Sequence, residues 1–544
     1  MTETPGAAPA GRTAAMERVP RWDTLDDAIR HWAATKPRDW AMVEPAGRLS
    51  WTAYDGYISL LAAHLLDLGL APGDRVGVWL PDGAAVHVAL SACLRAGLVA
   101  TGIGARSGRR ELTHLLGRSG AKVLLTAPRM GEVDTRDLFA ELEADLPALT
   151  RYVPAYDVVP VPDGPVFEAA PAEVLARAER RIAGHRAPTD ALALLNSTSG
   201  TTGLPKCVAH DERRWIAYHD FAVDAGELTT DDICMSVVPA PFGFGLWTAH
   251  FTPTLLGAPS VVLPRFSVTE TLRMLEQERV TVFMAVSTQF VMMLGDPDFD
   301  RYDLSALRVM YTGGEAVPVH KAEEFERRTG SLILNMYGSN ETGVQSYTTV
   351  RDPRDKRLTT GGRLIPEAEV RLFDADGREL ILHDGPGRPA SIGMVSSLGY
   401  YDDPAANEQL YTVDGWMLMG DLVTVDDEGY LRVVGRTSDF IIRGGKNISA
   451  AAVEEEVVSH PGVVRCAAVA MPDEVFGERV CVYVVPKAGV TLTLDDLVAH
   501  LRGRGVSREW FPEHLVVVDE LPVSDGGKLA KAALREDLKR RMSA

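Results

Sequence analysis

The chain has 544 residues, 46% of them hydrophobic and 24% charged, with a formal net charge of −19. That length exceeds one ordinary domain, and the acidic balance argues against broad nucleic-acid binding, which needs a basic surface. Polyanionic substrates would have to be held by local lysines and backbone N–H groups against the overall field. No apolar run reaches the ~18 residues that a bilayer span requires, so no membrane partner is expected. Residues 1–16 lack the apolar core of a signal peptide and read as a frayed leader. The five cysteines (Cys93, Cys207, Cys234, Cys466, Cys481) form no C-x-x-C and no zinc spacing, which points to free thiols and a cytoplasmic setting.

In chain order, residues 22–69 read as helices around a short strand, with Leu60, Leu61, Leu65, Leu66 and Leu68 on an amphipathic helix. A turn at Pro72-Gly73 leads into an apolar strand. The next helix ends near Arg95-Ala96-Gly97, and V-A-T-G-I-G and K-V-L-L-T (122–126) are further buried strands. Residues 150–190 read as surface helix and loop. The strand–helix rhythm returns over 230–345, with S-V-V-P-A, S-V-V-L-P, V-T-V-F-M-A and L-R-V-M-Y-T as strands. Alternation of this kind implies parallel sheets covered on both faces. From 360 to 435, short strands separated by Gly, Asp and Pro turns suit an antiparallel or barrel-like part, and the last hundred or so residues read as a small α+β domain. The expected fold is therefore α/β: a large N-terminal domain of two parallel-sheet subdomains plus a small barrel-like part, then a small mobile α+β domain.

Chemistry concentrates first in N-S-T-S-G-T-T-G-L-P-K-C-V (196–208), which follows the apolar A-L-A-L-L. A strand running into a glycine-rich loop lets backbone N–H groups approach an anion closely. Hydroxyls at Thr198, Ser199, Thr201 and Thr202 and the charge of Lys206 add to Gly200 and Gly203. The spacing is not that of a Walker A loop. G-I-G-A-R-S-G (102–108) misses the dinucleotide-binding spacing, has no acidic residue at the expected place, and reads as a turn.

T-S-G-T-T-G-L-P-K resembles the phosphate loop of the adenylate-forming superfamily, in its acyl- and aryl-CoA synthetase branch. Further signatures follow in the same order: Y-T-G-G-E (311–315), N-M-Y-G-S-N-E-T-G (335–343), M-G-D-L (419–422), G-R-T-S-D-F-I-I-R-G-G-K-N-I (435–448) and P-V-S-D-G-G-K-L-A-K (522–531). The resemblance runs from about residue 25 to the end. It implies an adenylate-forming domain over 1–436, a hinge at 437–438 centred on Ser438, and a mobile domain over 439–544. It also implies two half-reactions: a carboxylate joins the α-phosphate of ATP and releases pyrophosphate, then the thiol of coenzyme A takes the acyl group. In that scheme Lys528, Glu341 and Lys206 are catalytic. Lys528 places positive charge between two anions, and Glu341 holds Mg²⁺, a hard cation suited to oxygen ligands. Thr198, Ser199, Gly200, Thr201, Thr202, Gly203, Gly313, Gly314, Glu315 and Gly338 line the nucleotide. Asn335 takes the adenine edge, Tyr337 its face, Asn340 the α-phosphate, and Asp421 with Arg436 the ribose. After rotation of the small domain, Arg443, Gly444, Gly445 and Lys446 serve coenzyme A, the glycines leaving room for the pantetheine arm. The same resemblance suggests a homodimer.

Phe242, Phe244, Trp247 and Gly313 are the candidates for the acid pocket. Phe242 stands where many members have His, and P-A-P-F-G-F-G carries no Asp to meet a substrate ammonium. A hydrophobic acid, aryl, alicyclic or polycyclic, fits better than an amino acid. Two departures bear on activity. Cys207 replaces the usual Gly after the loop lysine, and is small enough to start the next strand. Asn340 replaces a Thr whose hydroxyl normally donates to the α-phosphate, and a misplacement of about 1 Å can cost on the order of a hundredfold in rate. This opens an alternative: an enzyme that only performs thioester formation on acyl-adenylate (acyl-AMP) supplied by a partner adenylating enzyme. A further alternative is an aryl-acid adenylating enzyme that loads a carrier protein. In A-A-A-V-E (450–454) the usual Pro and first Glu are missing, which touches the support of the coenzyme A loop rather than the class.

Overall fold

The computed structural model describes residues 13–543 except 160–165, 167–168, 198–203, 316, 375, 384, 437–438, 444–445, 474, 507 and 525–526. Among the described residues, a six-stranded sheet runs in the order Cys207–His210, Leu194–Ser197, Val99–Ile103, Arg75–Trp79, Val123–Thr126 and Arg151–Pro154. Its strands are parallel except at the Cys207–His210 edge. Val123–Thr126 and Val99–Ile103 are buried at every position, as expected of strands covered on both faces. A nine-stranded sheet runs Arg363–Leu364, Gly343–Tyr347, Leu332–Ser339, Val309–Gly313, Val282–Met284, Cys234–Ser236, Ser260–Val262, Trp40–Glu44 and Gly47–Ser50, parallel in its centre and antiparallel at its ends.

Helix starts are written locally. Thr24 accepts from Asp27 N and Ser50 from Ala53 N, capping helices Leu25–Thr35 and Trp51–Asp67. The first region carries two strands, Trp40–Glu44 and Gly47–Ser50, where the sequence suggests one. S-V-V-P-A is also displaced: the strand is Cys234–Ser236. The Ser236 hydroxyl accepts the N–H of Val238 and turns the chain, and Pro239 has no N–H to continue a ladder. The segment 104–108 is a turn, with Ser107 N bonded to Gly104 O.

Helix Leu246–Phe251 is a π-helix, the widened turn that often marks functional segments. Its cause is visible. Pro253 lacks the N–H that Ala249 O would accept in an α-helix, and the Ser260 hydroxyl takes that carbonyl at 2.7 Å instead.

Between residues 368 and 436 the sheets are antiparallel. Glu379–Leu380, Ala368–Phe373, Arg388–Gly393 and Met417–Leu418 form one, and Asp421–Val425 pairs with Leu431–Arg436. The C-terminal small domain is a sheet ordered Lys446–Ser449, Phe440–Arg443, Gly477–Pro486 and Val463–Asp473, with His514–Val517 parallel to Gly477–Pro486. Helices Ala450–Val458, Leu494–Gly503 and Lys531–Ser543 accompany it. All five cysteines are free and buried. Burial pushes the Cys93, Cys207 and Cys481 thiols up to about 12. No described helix is long and apolar enough to cross a membrane.

Candidate active site

The loop candidates Thr198, Ser199, Gly200, Thr201, Thr202 and Gly203 lie outside the described residues, but the strands that carry them do not. Leu194–Ser197 leads in and Cys207–His210 leads out, antiparallel, with Cys207 opposite Ser197. Cys207 thus begins the return strand in extended backbone and needs no glycine. Lys206 sits just before it, its Nζ 4.5 Å from the ring centroid of Tyr400. The Tyr400 hydroxyl donates to Glu341 Oε1 at 2.7 Å. Burial first, and the Glu341 charge second, push this phenol well above its ordinary value. Tyr400 therefore ties the loop lysine to the carboxylate, a link the sequence motifs do not reveal.

On the nucleotide side, Asp421 opens its strand opposite Arg436. Tyr337, buried, donates its hydroxyl to Asp421 Oδ2 at 3.1 Å. Asn335 donates its side-chain amide to Thr360 O at 2.9 Å. Gly313 ends the strand Val309–Gly313, and Gly338 lies in Leu332–Ser339 beside it. Gly314 has φ +75°, and a Cβ there would stand 2.5 Å from Lys528 Nζ. The lysine of the small domain is thus seated against the Y-T-G-G-E segment. Glu315 makes its contacts with Thr288 and with the backbone of Leu529.

Phe242 and Phe244 are half-buried on the acid-pocket segment. Trp247 is buried, donates its indole N–H to Tyr218 O at 2.7 Å, and stands edge-on to Phe244. The size of the indole drives it into the core, where it backs Phe244.

Asn340 lies at the end of a buried relay. Arg214 Nη1 donates to His210 Nδ1. Since arginine only donates, that nitrogen carries no proton. Burial, and secondly the charge of Arg214, hold His210 well below its ordinary pKa, so the ring is neutral with its proton on Nε2. That N–H donates to Asn196 Oδ1 at 2.7 Å, which fixes the Asn196 amide. Asn196 and Asn340 then exchange two hydrogen bonds: Asn340 Nδ2 to Asn196 Oδ1 at 2.6 Å and Asn196 Nδ2 to Asn340 Oδ1 at 3.1 Å. Arg214 Nη2 also donates to Asn340 O at 3.1 Å. The Asn340 head lies against the acid-pocket segment, 2.5 Å from where a Cβ on Gly243 would be. Asn196, His210 and Arg214 carry no motif of their own; only the proximity of Asn196 to the loop hinted at them.

In the small domain Arg443 is engaged. It makes a two-pronged ion pair with Glu513, 2.9 Å on each arm, and stacks on Phe476. Ser438, Gly444 and Gly445 lie outside the described residues, as do the side chains of Arg436 and Lys446.

The strand pair flanking residues 198–206, the Lys206–Tyr400–Glu341 contacts and the seat of Lys528 against Gly314 agree with a nucleotide-dependent ligase of two domains. The AMP-binding enzyme family matches residues 29–401, and the AMP-binding enzyme C-terminal domain matches residues 452–528. The chain belongs to this AMP-binding enzyme family, in the acyl/aryl-CoA ligase branch of the adenylate-forming superfamily, and is an AMP-forming acid–thiol ligase.

It is 32% identical over 538 residues to a medium-chain fatty-acid–CoA ligase of Escherichia coli (strain K12), covering 98% of this chain and 94% of that one. It is also 32% identical over 507 residues to a 3-[(3aS,4S,7aS)-7a-methyl-1,5-dioxo-octahydro-1H-inden-4-yl]propanoyl:CoA ligase of Rhodococcus jostii (strain RHA1), covering 90% of this chain and 94% of that one. In fold it is similar to the anthranilate CoA ligase AuaEII in complex with anthranoyl-AMP. The TM-score is 0.84 at 22% identity, over 97% of this chain and 100% of that one.

Proposed function

We propose that the protein converts a hydrophobic carboxylic acid, aryl, alicyclic or polycyclic, to its coenzyme A thioester through an acyl-adenylate, the small domain rotating between the two half-reactions. The observation that carries this is the seat of Lys528 Nζ against Gly314, in the Y-T-G-G-E segment. There its charge meets the carboxylate and the α-phosphate as they approach. Lys206 and the loop before it neutralise the outer phosphates, and Asp421 accepts the ribose hydroxyls. Among the described residues no group of three or more His, Cys, Asp or Glu is arranged to hold a metal. Glu341 would hold Mg²⁺, which is commonly held by one carboxylate together with substrate phosphates and lends them charge neutralisation. The apolar lining at Phe242 and Phe244, and relatives named for fatty and ring-bearing acids, support the substrate class.

The deciding experiment is a screen of carboxylic acids with ATP and Mg²⁺ for pyrophosphate release, with and without coenzyme A. Release with a hydrophobic acid and thioester as product is the expected result. Turnover of amino acids alone, or transfer only to a carrier protein, would overturn the reading. One observation favours a second reading, thioester formation from acyl-adenylate made by a partner enzyme: the amide of Asn340 is committed to Asn196 and so is drawn away from the α-phosphate. Preformed acyl-adenylate plus coenzyme A then gives thioester where acid plus ATP gives no pyrophosphate.

A further inference from the structure

Glu315 closes the Y-T-G-G-E segment, and both of its carboxylate oxygens are engaged. Oε2 accepts the backbone N–H of Thr288 at 3.0 Å. Oε1 accepts the Thr288 hydroxyl at 3.3 Å and the backbone N–H of Leu529 at 2.9 Å. Thr288 stands in the first turn of helix Ser287–Leu294, where the backbone favours negative charge. Leu529 is the residue after Lys528. One carboxylate of the large domain therefore holds the chain directly beside the lysine that the adenylation chemistry needs.

The same group is gripped from a second strand of the small domain. Arg465, on Val463–Asp473, donates from Nη2 to the Thr288 hydroxyl at 3.0 Å. The hydroxyl accepts from Arg465 and donates to Glu315, so the three side chains form one polarised run. Burial holds Arg465 below its ordinary pKa, and the Glu315 charge opposes that. A guanidinium removed from water is tolerated here because a hydroxyl and a nearby carboxylate receive it, and both belong to the other domain. The arrangement is thus specific to this orientation of the two domains. Two further contacts complete the seat: Arg106 Nη2 donates to Ser524 O at 2.5 Å, and a Cβ on Gly527 would lie 3.2 Å from Gln289 Nε2.

We propose that Arg465, Thr288 and Glu315 form an interdomain clamp that positions Lys528 and sets how long the small domain stays in the adenylate-forming orientation before it rotates. The three are positioning residues; Lys528 is the group that meets substrate. The proposal rests on the rotation between half-reactions described above. It adds that this chain tunes the balance between them from Arg465, through Thr288 and Glu315. A clamp that is too strong slows entry of coenzyme A, and one that is too weak leaves Lys528 out of place.

The test uses the full chain with Arg465→Ala and Thr288→Val, which keeps side-chain volume and the backbone N–H. Pyrophosphate release from acid and ATP, thioester formation from supplied acyl-adenylate, and energy transfer between dyes on the two domains are measured separately. Losing one charge-assisted hydrogen bond is expected to lower kcat for pyrophosphate release about tenfold. KM for acid and ATP should stay within about twofold, because no substrate contact is removed. Thioester formation from acyl-adenylate should rise about threefold, and energy transfer should move toward the rotated state. The double variant should be no worse than the more severe single one, as for residues acting as a unit. Equal falls in both half-reactions, or an unmoved energy-transfer distribution, would overturn the clamp. If the wild-type protein releases no pyrophosphate with any acid, the first half of the proposed function fails. The clamp is still decided by thioester formation and energy transfer, where no change in either variant refutes it.

Discussion

Replacing Asn340 by threonine tests the relay at its functional end. In the wild-type protein the Asn340 amide makes two hydrogen bonds with Asn196, of 2.6 and 3.1 Å. Each is worth about 1 kcal/mol net, so drawing the amide out toward an α-phosphate costs about 2 kcal/mol, about a 30-fold handicap. A threonine hydroxyl sits on Cβ, is too short to enter that pair, and remains available as a donor. Asn340→Thr should therefore raise pyrophosphate release from acid, ATP and Mg²⁺ by up to about 30-fold relative to thioester formation from supplied acyl-adenylate. It should also lower the urea midpoint. Asn196 Nδ2 loses its acceptor, and an orphaned buried donor costs about 1–3 kcal/mol. The assay is a coupled pyrophosphate measurement under saturating acid and ATP. A fall in release would refute the reasoning: the second N–H of the Asn340 amide would then be the working donor, and the relay would present it rather than withhold it. Unchanged release would refute it equally, since the amide would take no part.

Other outcomes follow from the same geometry. Gly314→Ala places a Cβ 2.5 Å from Lys528 Nζ at φ +75°, so adenylation should fall by on the order of a hundredfold or more, read as pyrophosphate release. Tyr400→Phe removes the 2.7 Å donor to Glu341 while leaving the ring under Lys206; kcat for thioester formation from acid should drop about tenfold, with a higher Mg²⁺ requirement in titration. Glu212 is buried, which pushes its carboxyl up to about 7 against the backbone donor Leu25 N and the charge of Arg186. The folded protein therefore keeps a proton that the unfolded chain has released. Stability should fall as pH rises from about 4.5 to about 7, by about 3 kcal/mol. Glu212→Gln keeps the acceptor for Leu25 N–H and should flatten that slope in urea midpoints measured at pH 5 and pH 8.

The layers and the order of the motifs were readable because each is a local demand on the backbone. Leu194–Ser197 reads as a strand from its apolar run, Pro72-Gly73 as a turn, and the phosphate loop from glycines and hydroxyls within a dozen residues. The strand Cys234–Ser236 was misplaced because V-V looks extended until Ser236 bonds the N–H of Val238. What stayed hidden depends on partners far along the chain. Asn196 and Asn340 are 144 residues apart, and Thr288 and Arg465 are 177 apart. Neither pair has a spacing that a sequence pattern could register. Glu315 was read as a nucleotide residue from its motif, and its bond to Leu529 becomes visible only when the small domain is docked. Trp247 is a pocket candidate through its segment's resemblance, and its bond to Tyr218 O, 29 residues away, is a partner that no spacing announces.

The burial of every cysteine has a practical side for a catalyst whose second substrate is a thiol. Thiolate is the reactive form, and Cys93, Cys207 and Cys481 reach it only near pH 12. All five are buried inside the native fold, which should keep them from competing with coenzyme A for an activated acyl group or forming a mixed disulfide with it. A chromogenic disulfide reagent added to the working enzyme therefore counts the coenzyme alone. Colour that exceeds the coenzyme supplied reports protein that has come unfolded.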